Sequence, residues 1–303
     1  MESISNIKEY FECIKQQSEQ SKSPCFFRGE SRLHKEPFTP SIKRVDTAKE
    51  HDIYYHVLTT CAQDFNEHLT YGEVLAKMQH YGVPTRLLDI TSNPLVALYF
   101  ACNSNNVDDS VDGVVYTFQT EDMPIKTFES DTVAILASLP RISQEDYVEV
   151  FELAMELCGG GHDIDDDALG EFNQNSAVRR LLHEIKKEKP DFEQLQRPRT
   201  LLEDIFYVPK QNNSRIVRQQ GAFLMFGMAD LAPFEGNEKS APGMCHYKII
   251  INSDSKKEIL SGLKMLSITK SALFPELYTI AESIKSDSRF TKINCQGTDE
   301  NNN

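Results

Sequence analysis

The chain contains no tryptophan, and its basic side chains are outnumbered: 32 Lys and Arg stand against 46 Asp and Glu, a formal net charge of −14 at pH 7. A protein that coats nucleic acid needs a basic surface, so this balance excludes general binding along a polyanion and leaves room only for a local basic groove. The longest unbroken apolar run covers residues 95–102. That is far short of the roughly 20 residues that cross a bilayer, so we expect no membrane-spanning segment.

Cysteine pairs at metal-binding spacing are also missing. The seven cysteines are an odd number and none forms a CxxC pair, a pattern that fits neither a disulfide framework nor a zinc site. We therefore expect no bound metal. The first fifteen residues lack both an apolar run and a small-residue cleavage site, so the sequence predicts no signal peptide and a cytoplasmic location.

With 40% hydrophobic and 26% charged residues the chain is expected to fold around a sizeable core. Short β-branched and aromatic segments predict strands near Arg28, Val115, Phe206, Phe223 and Ile250, and an extended piece over 86–91. Helical spacing of apolar residues predicts helices over 4–14, 46–80, 94–102, 256–266 and 274–284. The predicted fold is therefore α+β: a split mixed β-sheet core surrounded by helices.

The domain organisation follows from composition along the chain. Residues 1–285 are predicted to form a single domain, and a long helical stretch at about 145–205 is predicted to be an insertion into it. The polar segment 286–303, which ends in three asparagines, is predicted to be a disordered tail.

The first candidate for chemistry is the segment 26–30, Phe-Phe-Arg-Gly-Glu. An arginine on a buried strand is costly unless an anion compensates it. Arg28 therefore either pairs with an internal carboxylate such as Asp89 or binds a phosphate- or carboxylate-bearing ligand. Gly29 would let a ligand approach the backbone closely.

The second candidate is the segment 79–94, which places several kinds of hydrogen-bonding side chain in a turn, a strand end and a helix start. Thr91, Ser92 or Asn93 either caps the following helix or belongs to a helix N-terminus that faces an anion. His80 is either a hydrogen-bonded structural residue or a catalyst.

The third candidate is the segment 215–223, with two arginines and two glutamines directly before a predicted strand. It is either a solvated edge or part of a site. Arg215 and Arg218, together with Arg86, could line a local basic groove beside a cleft.

Together with Lys270 to Leu277, these three segments resemble the FRG domain, a family named for its Phe-Arg-Gly motif. The most specific part is residues 79–101, and the resembling blocks span about 26–280. Family members usually carry a tryptophan several residues after the Arg-Gly. This chain has none, so the resemblance implies a different pocket there.

The same segments also resemble the arginine-type ADP-ribosyltransferases, in the same order. The aromatic-Arg-Gly sequence resembles their first motif, and Thr91-Ser92 followed by the helix at 96–101 resembles their second. Gln219-Gln220 comes where their third motif, Glu-x-Glu, would stand. Glutamine can hold a ribose hydroxyl but supplies no charge to an oxocarbenium-like transition state.

This resemblance implies NAD as the substrate and assigns roles to particular residues. Arg28 would bind the pyrophosphate, Thr91 or Ser92 would support the nicotinamide ribose, and Gln220 or Gln219 would position it. His80 or Asp89 would activate or orient the acceptor. The residues so assigned to catalysis are Arg28, His80, Asp89 and Gln220. Those assigned to NAD binding are Arg28, Gly29, Tyr81, Arg86, Thr91, Ser92 and Gln219.

The resemblance leaves three functions open. The first is an NAD-dependent ADP-ribosyltransferase that modifies a protein or a nucleic acid, acting as a toxin or in phage defence, where a neutralising antitoxin is expected. The second is a non-catalytic module that binds a nucleotide or a protein. The third is a hydrolase or nuclease built on His80, Asp89 and Arg28.

Overall fold

The structure is a computed structural model that describes residues 2–20, 25–65, 68–103, 110–120, 123–159, 164–231 and 245–276. No helix within these ranges is long and apolar enough to cross a membrane. The helix predicted over 274–284 lies outside the described residues apart from its first three positions. The predicted disordered tail at 286–303 lies outside them entirely.

The described strands form one mixed sheet of eight strands in the order β1-β8-β4-β2-β3-β7-β6-β5. They are β1 Glu2–Ile4, β2 Cys25–Glu30, β3 Leu87–Thr91, β4 Gly113–Gln119, β5 Ile125–Thr127, β6 Ile205–Val208, β7 Gly221–Met225 and β8 Cys245–Ile251. The pairs β1/β8 and β5/β6 are parallel, and the other neighbouring pairs are antiparallel. The predicted α+β class and mixed sheet are confirmed.

The sheet narrows at its centre. Strand β2 is in register with β4 along its whole length, from Cys25 to Glu30, and β3 is in register with β7 along its own. Between β2 and β3, however, the described register is a single pair, Phe27 with Thr91. The sheet therefore consists of two four-stranded halves joined at this one described residue pair. This is the split that the sequence predicts.

Helices surround this sheet. They are α1 Ile7–Gln20, α2 Ser41–Val45, α3 Glu50–Thr60, α4 Tyr71–His80, α5 Pro94–Cys102, α6 Asp131–Ser138, α7 Gln144–Gly159, α8 Asp166–Gln174, α9 Ser176–Glu188, α10 Ser214–Gln219, α11 Met228–Leu231, α12 Lys256–Met265 and α13 Lys270–Leu273. The stretch predicted as helical over 46–80 is divided into two helices, α3 and α4. Helix α4 starts separately at Tyr71, because Thr70 caps it through a capping box with Glu73.

The predicted helical insertion is the connection between β5 and β6. These strands are parallel, so the chain must cross back from the end of one to the start of the other. Helices α6 to α9 make this crossover, and the helical region begins at Asp131 rather than near 145. The periodicity of the short α6 is hidden in the sequence because its turns are apolar on nearly every side.

Two apolar clusters cover the same face of the sheet and leave its centre line between them. One packs α1, α5 and α12 against the first half, around Phe27 and Val115. The other packs the crossover helices against the second half, around Leu87 and Phe223. Phe27 pairs with Thr91, and side chains alternate along a strand, so Leu87, Asp89 and Thr91 share the face of Phe27. Asp89 and Thr91 therefore lie where the two clusters meet.

Candidate functional site

A cavity of about 230 Å³ lies where the two halves of the sheet join. It is lined by Phe27, Arg28, Gly29, Asp89, Ile90, Thr91, Val96, Phe100, Arg215 and Gln219. All of them except Val96 and Phe100 come from the three segments that the sequence singled out, and each segment is represented. The cavity lies where the described register between β2 and β3 is a single residue pair.

Gly29 brings α5 against the cavity. A Cβ at this position would collide with the Ala97 carbonyl and would lie 2.8 Å from the Ala101 nitrogen. The backbones of β2 and α5 can approach this closely only if position 29 carries no side chain. Helix α5 itself is buried nearly all round, begins with Pro94, and is capped by Asn93. Gly29 thus sets the position of the helix that supplies Val96 and Phe100 to the wall.

Arg28 bridges the gap between the two halves. Its Nε donates to Glu30 Oε1 at 2.8 Å, and its Nη1 donates to the backbone oxygen of Asp89 at 2.6 Å. The Arg28 side chain is 18% exposed and that of Glu30 only 5%. Pairing between Arg28 and the Asp89 carboxylate is therefore wrong: the carboxylate partner is Glu30, which lies two residues along the same strand and on the same face. Glu30 Oε2 is buried and has no hydrogen-bond partner among the described residues.

Asp89 is an exposed carboxylate on a central strand whose other residues are buried. Its Oδ2 accepts a hydrogen bond from Gln79 Nε2 at 2.7 Å. Gln79 Oε1 in turn accepts from the hydroxyl of Thr85 at 2.7 Å, and that hydroxyl accepts from the Leu87 nitrogen at 3.1 Å. Because Thr85 is buried and both ends of the Gln79 amide are bonded, this chain fixes the direction of the Asp89 carboxylate.

Thr91 connects β3 to the end of α10. Its hydroxyl donates to the backbone oxygen of Gln219 at 2.6 Å and accepts from the Asn93 nitrogen at 3.0 Å. The Gln219 side chain lines the cavity, and its Nε2 donates to the backbone oxygen of Leu273 at 3.2 Å. The structure thus brings Thr91 and Gln219, which the sequence assigns to one site, together at the cavity.

Gln220 and Ser92 are placed differently from what the resemblance implies. Gln220 ends α10 in the left-handed conformation, with φ of 45°, and its side chain is exposed and does not line the cavity. Its backbone oxygen accepts from the Ser92 nitrogen at 3.1 Å. Ser92 is exposed as well and does not line the cavity. The turn between α10 and β7 therefore directs Gln219, and not Gln220, towards the cavity.

Arg86 and Tyr81 do not belong to the cavity wall. Arg86 is fully buried, its Nε donates to Glu50 Oε1 at 3.0 Å, and its Nη2 donates to the other Glu50 oxygen. Burial alone would lower the pKa of Arg86, but the Glu50 charge and Tyr147 raise it above the usual value. Arg86 therefore cannot line a surface groove. Tyr81 lies at the C-terminal end of α4 and is 69% exposed.

His80 lies beside the cavity, next to groups of both charges. Its Nε2 is 3.7 Å from Glu276 Oε1, too far for a hydrogen bond, and its backbone oxygen faces Arg215. Burial first, and then the positive charge of Arg215, lower the pKa of His80, while Glu276 and Asp89 oppose this shift. The lowered pKa favours the neutral imidazole, the form that accepts a proton.

The sequence left two interpretations of Arg215: it belongs to a solvated edge or to a site. For Arg215 the solvated edge is wrong. The residue is half-buried and lines the cavity, whereas Arg218 on the same helix is exposed. Sequence reasoning also missed Gln79, Glu30 and Glu276. The spacing of Arg215 and Gln219, four residues apart on one helix, was the available signal that both face one side.

A larger cavity, of about 540 Å³, lies on the crossover helices between α7 and α9. Its arginines include two with dedicated carboxylates, since Arg141 Nε lies 2.9 Å from Glu184 and Arg180 pairs with Asp146. Size alone does not identify a site. We place the candidate site at the sheet junction, because an exposed carboxylate, two guanidiniums and an apolar wall converge there.

The cavity at the junction thus offers donors for an anion, one oriented carboxylate and the aromatic surface of Phe100. Among the residues that the structure describes, no group of three His, Cys, Asp or Glu side chains could hold a metal ion. In comparison with known proteins, residues 23–110 match the model of the FRG domain family. This match runs from β2 to α5. No curated protein and no solved structure matches the chain.

Proposed function

We propose that this protein is an NAD-dependent ADP-ribosyltransferase whose site is the cavity at the sheet junction. One observation carries the proposal. Arg28 on β2, Thr91 at the end of β3 and Gln219 before β7 line the same cavity, although they lie far apart in the chain. These are the positions to which the resemblance assigns NAD binding, in the order that it implies.

The proposed reaction breaks the bond between C1′ of the nicotinamide ribose and the nicotinamide nitrogen. The bonding electron pair leaves with nicotinamide, and the positive charge develops on the ribose. A lone pair of the acceptor then forms the new bond at C1′, and the acceptor loses one proton. The net change is NAD⁺ plus acceptor–H to ADP-ribosyl-acceptor, nicotinamide and H⁺.

Asp89 supplies the negative charge for this reaction in the proposal. Gln219 is uncharged, whereas the Asp89 carboxylate is exposed in the cavity and is held by Gln79 at 2.7 Å. A fixed carboxylate beside a developing oxocarbenium ion stabilises the transition state more than the ground state. The neutral imidazole of His80 is the base that receives the acceptor's proton.

The size and wall of the cavity set what it holds. At about 230 Å³ it is smaller than the ~300–1,000 Å³ typical of pockets for drug-sized ligands. We therefore propose that it takes the nicotinamide ribose half of NAD, with the nicotinamide ring against Val96 and Phe100. These side chains would keep water away from C1′, so that the acceptor competes well with hydrolysis.

The second candidate function is a module that binds a nucleotide without cleaving it. It is favoured by the glutamines at 219 and 220, which replace the expected glutamates. The two candidates differ in whether nicotinamide is released, because both require binding in the same cavity.

The test is to incubate the protein with NAD labelled on the adenylate, with and without cell extract, and to follow free nicotinamide and macromolecule-bound label. Transfer predicts release and label from the wild type, with release reduced at least ~100-fold in Asp89→Asn while NAD still binds. Binding without release would favour the non-catalytic module. No NAD binding at millimolar concentration would contradict both.

A further inference from the structure

We infer that Arg215, and not Arg28, supplies the net positive charge that holds the phosphate groups of a ligand whose nicotinamide ribose half occupies this cavity. The inference rests on the proposed function for the identity of that ligand, a dinucleotide, and deepens it by naming the residue that recognises the diphosphate. The sequence resemblance gives this role to Arg28.

The charge of Arg28 is already compensated within the protein. Its guanidinium lies 2.8 Å from a Glu30 carboxylate that is only 5% exposed, so the two charges form a compact pair with little net charge. Two of its three nitrogens already donate, one to Glu30 and one to the backbone of Asp89. An approaching phosphate would gain a hydrogen bond from Arg28 but would also meet the negative charge of Glu30.

Arg215 lies at the same cavity in the opposite electrostatic situation. It forms no ion pair with a carboxylate among the described residues, and its Nη1 makes only a long contact of 3.4 Å to the backbone oxygen of His80. The guanidinium lies over the ring of Phe274, 4.7 Å from its centroid. The uncharged ring attracts the guanidinium without neutralising its charge.

The helix that carries Arg215 holds it in place. Asn213 caps α10 by accepting from the Arg215 nitrogen at 2.8 Å, and the Thr91 hydroxyl fixes the other end at Gln219. Arg215 and Gln219, four residues apart, face the cavity together, while Arg218 is exposed elsewhere on the helix. A planar guanidinium with free donors is suited to bidentate binding of a phosphate.

The experiment is calorimetric titration of three probes: NAD, ADP and nicotinamide riboside, which has the nicotinamide and ribose but no phosphate. The proteins are the wild type, Arg215→Ala, Arg215→Gln and the matched control Arg218→Ala. We expect Arg215→Ala and Arg215→Gln to bind NAD and ADP roughly 10- to 100-fold more weakly than the wild type, because each variant loses a charged hydrogen-bonding group. Nicotinamide riboside should bind all four proteins alike, and Arg218→Ala should match the wild type.

Thermal unfolding of each variant shows whether it is folded. If Arg215→Ala does not fold, the test relies on Arg215→Gln, which keeps most of the aliphatic part of the side chain. NAD and ADP binding by Arg215→Ala or Arg215→Gln at wild-type affinity would overturn the inference and leave the proposed function intact. If the wild type binds ADP but neither nicotinamide compound, the proposed function fails, and loss of ADP binding in the variants still supports Arg215. If it binds no probe, both fail.

Discussion

Two arginine–glutamate pairs, one with its arginine on β2 and the other with its arginine directly before β3, have different surroundings. The pair of Arg86 and Glu50 is closed: the arginine has no exposed surface and its Nη1 also donates to the backbone oxygen of Phe226 at 3.3 Å. The pair of Arg28 and Glu30 is open: the arginine borders a cavity and Glu30 Oε2 lacks a partner among the described residues.

This difference separates an arginine that holds the fold from one that belongs to a site. In the closed pair both carboxylate oxygens of Glu50 bond Arg86, and the remaining Arg86 nitrogen bonds the backbone. In the open pair Arg28 lines a cavity and has one nitrogen that makes neither of its two described hydrogen bonds. Both arginines stand next to apolar residues in the sequence, so composition around them does not distinguish the two cases.

The largest effect is expected in the closed pair. Changing Glu50→Gln leaves Arg86 buried without a compensating charge, and we expect the free energy of unfolding to fall by about 3–5 kcal/mol. Urea denaturation followed by circular dichroism measures this. A loss below about 1 kcal/mol would mean that water reaches Arg86, and the contrast with the open pair would then disappear.

A smaller but clear effect is expected from Gly29→Ala, beside the open pair. The new methyl group would collide with the backbone of α5, and such overpacking costs about 1–3 kcal/mol. Since α5 carries Val96 and Phe100, NAD binding should weaken as well. The control is Gly170→Ala on α8, where a Cβ has open space and the change should be neutral or stabilising by about 0.5–1 kcal/mol. Equal stability losses in the two variants would contradict the close approach of α5 to β2.

The open pair itself gives the third prediction. Glu30→Gln keeps an acceptor for Arg28 but removes the charge that compensates it, so stability should change by no more than about 1–2 kcal/mol. Anion binding should become stronger, because the Arg28 charge then adds to that of Arg215. Titration with ADP measures this, and a weaker affinity would show that Glu30 acts mainly by orienting Arg28.

The longer strands could be predicted from the sequence, because β-branched and aromatic runs such as Gly113–Gln119 are distinctive. The edge strands β1 and β5 were missed, because their three residues are too few to show a period of two. The convergence of Arg28, Asp89 and Thr91 was expected from a family resemblance and not from periodicity.

Partners and facing directions could not be predicted. Strand β3 is buried on both faces except at Asp89, so it shows no alternation that would reveal which side chains face the cleft. Arg86 precedes this strand and points inwards to Glu50, which is 36 positions earlier in the chain. The bond from Gln79 to Asp89 likewise depends on how α4 packs beside β3, which a single sequence does not specify.

The smallest effect is expected from His80, which lies beside the cavity that Arg28 borders. It is a dependence of the protein's stability on pH. The pKa of His80 is lowered in the folded protein by burial and by Arg215, with Lys77 adding to the shift and Glu276 and Asp89 opposing it. The unfolded chain therefore binds a proton at His80 more readily than the folded protein does. The stability that comes from keeping His80 neutral is fully present above the ordinary pKa of about 6.5 and is lost as the pH falls below that value. His80→Gln has no such proton, so its stability should decline less than that of the wild type between pH 7 and pH 5. Urea titrations at both pH values measure the difference. Parallel declines in the two proteins would mean that Glu276 and Asp89 balance Arg215 at His80, and that the positive charge at the cavity is more fully compensated than its contacts indicate.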